Sequence, residues 1–123
     1  MVAGSGPLSG KTVLVVEDSL QLAEVMKRTL ERAGAVVVGP AGTLAEAERL
    51  AGSVAIDAAV MDLDLGGTPA DPLAERLARE GIKVVLLTAY ASPSALAGKV
   101  HAYLSKPTRS QALIEALQKP LSR

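Results

Sequence analysis

Five times along this chain a short aliphatic run stops on a polar or turn-forming residue. Thr12 to Val16 stops on Glu17-Asp18, Ala35 to Val38 on Gly39-Pro40, Ala58 to Met61 on Asp62, Lys83 to Leu87 on Thr88, and His101 to Leu104 on Ser105-Lys106-Pro107. Runs that are apolar on every residue, not every second one, are strands buried on both faces, and such strands belong to parallel sheets. A parallel sheet needs a crossover between successive strands, so the intervening segments should be helices.

Their spacing agrees. Leu22, Met26, Leu30 and Ala33 recur at helical intervals until Gly34, with Ser19 or Asp18 available as the cap. Thr43-Leu44-Ala45-Glu46 is a capping box, and the helix it opens carries Leu44, Ala47, Leu50 and Ala51 on one face before Gly52. Asp71-Pro72 supplies an N-cap and a first-turn proline for a helix that buries Leu73 and Leu77 and ends at Gly81. Ser92-Pro93 leaves only a short stretch before Gly98, and Thr108 to Gln111 is a second capping box ahead of Leu113, Leu117 and Leu121. Right-handed crossovers on both sides give a doubly wound five-stranded parallel sheet with helices on both faces, for which the strand order is 2-1-3-4-5. Residues 1–10, rich in Gly, Ser and Pro, read as a mobile lead, and 11–123 as a single domain.

Composition excludes more than it assigns. Thirteen basic and thirteen acidic residues leave no net charge, which disfavours a nucleic-acid or anionic-membrane surface. The absence of cysteine removes disulfides, thiol catalysis and cysteine metal sites, and fits a cytoplasmic protein. No apolar run approaches the ~20 residues of a membrane span. With no Phe or Trp and two Tyr, the core is aliphatic. Gly10-Lys11-Thr12 ends like a phosphate-binding loop, but Ser5 stands where the first glycine belongs and a strand follows instead of a helix.

Ligands of open α/β sheets bind beyond the carboxyl ends of the strands. There the sequence delivers Glu17 and Asp18, then Asp62, then Thr88, then Lys106. Three carboxylates in one crevice repel unless a hard divalent cation sits among them, and oxygen ligands with room for water suit Mg²⁺. Asp62 is then placed to act as a nucleophile toward phosphorus, with the Thr88 hydroxyl and the Lys106 ammonium for the remaining phosphoryl oxygens.

On these residues, from Thr12 to Leu121, the chain resembles the receiver domain of two-component response regulators. The resemblance rests on Glu17-Asp18, Asp62, Thr88-Ala89 and Tyr103-Leu104-Ser105-Lys106-Pro107, in that order on successive strand ends. It implies a flavodoxin-like fold in which Asp62 accepts a phosphoryl group from a phosphohistidine of a sensor histidine kinase or histidine phosphotransfer protein. It implies Mg²⁺ held by Glu17, Asp18, Asp62 and the backbone carbonyl of Asp64. It implies a switch in which Thr88 moves toward the phosphoryl group and the Tyr103 rotamer follows, and a cis bond between Lys106 and Pro107. Tyr103 also reads as a plain packing residue, Tyr90 either gates the site or lies on the surface, and His101 has no catalytic part.

The chain departs from the family in two places. Glu17 stands where aspartate is commoner, and the 18-residue interval from Thr88 to Lys106 is short by roughly one helical turn. The fourth helix is therefore expected to be short or absent, as in a subset of stand-alone receivers. The functional expectation is a phosphoacceptor switch, not an ordinary enzyme, that signals through a protein partner because little chain remains outside the domain. Two rivals stand beside it. One is an interaction module that keeps the fold without phosphorylation. The other is a phosphatase of the haloacid-dehalogenase type, which Asp62-Leu63-Asp64 suggests, but no later acidic pair follows Lys106.

Overall fold

The computed structural model describes residues 6–62, 64–65, 68–88, 102–105 and 110–118. Its elements run β1 (Thr12–Val16), α1 (Leu20–Arg32), β2 (Val36–Ala41), α2 (Leu44–Ser53), β3 (Ala58–Asp62), β4 (Asp64–Leu65), β5 (Thr68–Pro69), α3 (Asp71–Arg79), β6 (Lys83–Thr88), β7 (Ala102–Ser105) and α4 (Ser110–Gln118). Strands β2-β1-β3-β6-β7 form one sheet in that order, every pairing parallel. β4 and β5 form a separate antiparallel pair directly after Asp62, where the sequence signalled only a glycine turn.

Strand alternation divides the core into two layers. Val13, Val15, Ala58, Val60, Val85 and Leu87 meet Met26 and Leu30 of α1 and Leu113, Ala116 and Leu117 of α4. Leu14, Val16, Ala59, Met61, Val84 and Leu86 meet Ala47 of α2 and Leu73, Ala74 and Leu77 of α3. The sheet is thus covered on both faces, which is why its strands read as unbroken apolar runs. Among the described residues no helix is long and apolar enough to cross a membrane.

Capping chemistry sets the helix starts. Ser19 Oγ accepts the Leu22 amide and Thr43 Oγ1 accepts the Glu46 amide, contacts worth about 1 kcal/mol each. Glu46 does not complete a capping box, because both of its carboxylate oxygens engage Arg49. The N-cap of α3 is Ala70, not Asp71; Asp71 and Pro72 lie inside the first turn, and no side chain caps that end.

Three further expectations are corrected. Leu22 is 46% exposed, and Ala23 takes the buried place on α1 instead, one residue further round the helix. β2 does not close at Gly39-Pro40 but continues through both to Ala41. The lead is not loose from residue 6 onward: Leu8 is fully buried between α1 and α4, and its amide donates to the Ala33 carbonyl at 2.8 Å. Residues 91–100, Tyr90, His101, the Lys106-Pro107 bond and Leu121 lie outside the described residues.

Candidate functional site: an acidic cluster at the switch point

β1 and β3 are neighbours at the centre of the sheet, with β2 beyond one and β6 beyond the other. From this point the chain winds to opposite faces, which leaves a crevice beyond the strand ends. Register then decides what arrives there. Val16 pairs with Met61, so Glu17 and Asp62 occupy successive strand ends at the same level. Asp62 pairs with Leu87, which puts Thr88 one residue further along the adjacent strand, roughly 5 Å away.

Glu17, Asp18 and Asp62 meet. One carboxylate oxygen from each lies within 4.8 Å of the others. Glu17 is 2% exposed and Asp62 5%, whereas Asp18 faces solvent. The Glu17 carboxylate is oriented locally, because its Oε2 accepts the Ser19 amide at 3.1 Å. Ser19 in turn caps α1, so a single turn both starts the helix and aims the buried acid.

The donor set fits a small hard cation. Mg²⁺ takes oxygen ligands at about 2.1 Å, so three carboxylate oxygens within 4.8 Å of one another would close on it by small side-chain rotations. All the donors are carboxylate oxygens, which excludes the sulfur and imidazole sets typical of zinc. One exposed edge, at Asp18, leaves the site open to water or an incoming ligand.

The remaining expected residues are placed by backbone. Asp64 begins β4, two residues past Asp62. Thr88 ends β6 and pairs with Ser105, the last residue of β7. Tyr103 pairs with Leu86 in the middle of β7. Lys106 itself lies outside the described residues.

Sequence reasoning overlooked a second ionic feature at the opposite end of the sheet. Lys83, the first residue of β6, is 7% exposed and its Nζ donates to the Leu117 carbonyl of α4 at 2.8 Å. Burial, and after it the charge of Lys11, pulls its ammonium below the ordinary lysine value. Nearby, the Asp57 carboxylate accepts the Thr12 amide at 2.8 Å and secures the start of β1. A lysine at the head of an aliphatic strand gives no sequence signal of burial, because its stem is apolar and its head usually reaches water.

Comparison with known proteins agrees with this geometry. Residues 13–118 match the family model of the response regulator receiver domain. A response regulator from Burkholderia pseudomallei, solved with a phosphorylated aspartic acid, a calcium ion and citrate, is 32% identical with a TM-score of 0.78 over 88% of this chain and 66% of its own. A receiver domain protein from Methanospirillum hungatei is 27% identical with a TM-score of 0.79, covering 88% of this chain and 90% of that one. The N-terminal domain of a three-domain response regulator from Carboxydothermus hydrogenoformans is 29% identical with a TM-score of 0.74, covering 88% and 91%. No curated protein matches the chain. Sheet, acidic cluster and family match all point one way: this chain belongs to the response regulator receiver domains.

Proposed function

We propose that the chain is a phosphoacceptor switch in which Asp62 receives a phosphoryl group from a phosphohistidine. The observation that carries this reading is the convergence of Glu17, Asp18 and Asp62 at the switch point of the sheet. The Burkholderia pseudomallei relative, which bears a phosphorylated aspartic acid and a calcium ion, supports it.

In this reading Glu17, Asp18, Asp62 and the Asp64 carbonyl hold Mg²⁺, which when bound supplies positive charge toward phosphoryl oxygens. An Asp62 carboxylate oxygen attacks phosphorus, the phosphorus–nitrogen bond to the donor imidazole breaks, and its electron pair stays on that nitrogen. The Asp62 carboxylate is buried at one end of a rigid strand, which fixes the direction of approach. Thr88, one residue beyond the register partner of Asp62, offers a hydroxyl to the new phosphoryl group, and Lys106 an ammonium. Their movement toward it, with Tyr103, is the switch. The donor is a sensor histidine kinase or histidine phosphotransfer protein, the signal passes to a protein partner, and the chain acts in the cytoplasm.

The test is incubation with acetyl phosphate, with and without Mg²⁺, followed by intact mass. Wild type should gain one phosphoryl group only with Mg²⁺, and Asp62→Asn should gain none. A wild type that stays unlabelled under conditions that label an established receiver would overturn the proposal and favour the phosphorylation-independent module.

A further inference from the structure

β2 contains an irregularity that reaches the acidic cluster. Leu14 of β1 pairs with Val38, but Val16 pairs with Ala41, so Val15 alone stands opposite Gly39 and Pro40. Two residues against one is a β-bulge. The core layers record the same insertion independently. Val37 packs with one layer and Val38 with the other, and Ala41 lies in the layer of Val38, Leu14 and Val16. In a regular strand Ala41, three residues after Val38, would face the opposite way.

Gly39 makes the bulge possible. Its φ is +96°, a region that side-chain-bearing residues rarely adopt. A Cβ there would stand 2.8 Å from the Ala41 nitrogen and 3.0 Å from the Val15 carbonyl oxygen, both of them backbone atoms. Beyond the bulge, the re-aimed Ala41 carbonyl accepts the Glu17 amide at 2.9 Å. The Glu17 carboxylate is in turn held by the Ser19 amide. The buried acid is therefore fixed at its backbone from β2 and at its side chain from the α1 cap.

We infer that Gly39 is a positioning residue for the acidic cluster: the bulge it permits aims the Ala41 carbonyl that holds the Glu17 amide, and so fixes the turn from which Glu17 and Asp18 reach Asp62. A slip of one residue in β2 would displace the supporting carbonyl by about 3.3 Å, comparable with the spacing of the ligand oxygens themselves. The inference rests on reading the cluster as a cation site.

The experiment is a Mg²⁺ titration followed by backbone amide NMR shifts, comparing wild type with Gly39→Ala and with Leu30→Ala. The second variant loses core packing far from the cluster and reports the effect of destabilisation alone. Gly39→Ala should weaken Mg²⁺ binding by about tenfold or more, and Leu30→Ala by less than about twofold. Unchanged affinity in Gly39→Ala, or equal weakening in both variants, overturns the inference and leaves the phosphoacceptor reading intact. Failure of the wild type to bind Mg²⁺ overturns both. Should Gly39→Ala not fold, amide exchange in the wild type decides. Saturating Mg²⁺ should slow exchange of the Ala41 amide, which closes the bulge and lies outside the ligand set, about tenfold more than that of the Val36 amide, which bonds Lys11 at the far end of β2; equal slowing overturns the inference.

Discussion

Leu8→Ala tests how firmly the N-terminal segment belongs to the fold. Leu8 is fully buried and packs in the layer formed by α1, α4 and the sheet. Truncating a buried leucine costs about 2–5 kcal/mol, the sum of lost transfer free energy and an unfilled cavity. The cavity term should be moderate, because the half-buried Ile114 packs against the same cluster and can settle inward. A loss of about 3 kcal/mol is therefore expected. The Leu8 amide bond to Ala33 and the Lys11 amide bond to the Leu8 carbonyl are main-chain contacts and survive this substitution. Deleting residues 1–9 removes both of these bonds too and should cost about 1–2 kcal/mol more. Against a typical total of about 5–15 kcal/mol, either change is large. Urea denaturation followed by circular dichroism measures it, with an expected midpoint fall of about 1.5–2 M at a slope typical of small proteins. Leu20→Ala is the internal control, since Leu20 is 84% exposed and its loss should stay within about 0.5 kcal/mol. A Leu8→Ala variant as stable as Leu20→Ala would refute the docking of this segment.

Three further outcomes are expected. Ser19→Ala should cost about 1 kcal/mol through the lost α1 cap, read by urea denaturation, while a capping role confined to stability would leave Mg²⁺ affinity unchanged. Lys83→Met should alter the pH dependence of stability. Burial and Lys11 lower the folded-state value of Lys83 below its ordinary 10.5, so the unfolded chain holds the proton more tightly; wild type then gains stability as pH rises through that window and the variant does not, measured by urea midpoints from pH 8 upward. Glu17→Gln should weaken Mg²⁺ binding at least tenfold by calorimetry while the fold persists, because it removes charge and keeps shape.

The alternating architecture was legible because strands buried on both faces leave continuous aliphatic runs and their ends carry the only polar residues nearby. The acidic cluster was legible for the same reason: the pair Glu17-Asp18 and the single Asp62 each follow directly on such a run. What escaped depended on tertiary context. Leu8 sits in a Gly, Ser and Pro setting whose local signal is disorder, and only the groove between α1 and α4 gives it a place. Gly39-Pro40 reads as a strand terminator, yet here it is a bulge within a longer strand, a distinction that depends on the register with β1. Asp71 has the composition of an N-cap, but the chain arriving from β5 starts α3 one residue earlier. Leu22 and Ala23 exchange places because a one-residue phase error on a helix moves a side chain by about 100°.

The central claim is that Asp62 is the phosphoacceptor, and chemical trapping tests it most directly. Borohydride reduction of the Mg²⁺ and acetyl phosphate reaction product converts an aspartyl phosphate to homoserine, which peptide mass spectrometry locates in the sequence. Homoserine at position 62 alone is the predicted result. Homoserine at Asp18 or Asp64 with an unmodified Asp62, or no conversion in a sample that carries phosphate, would contradict the account.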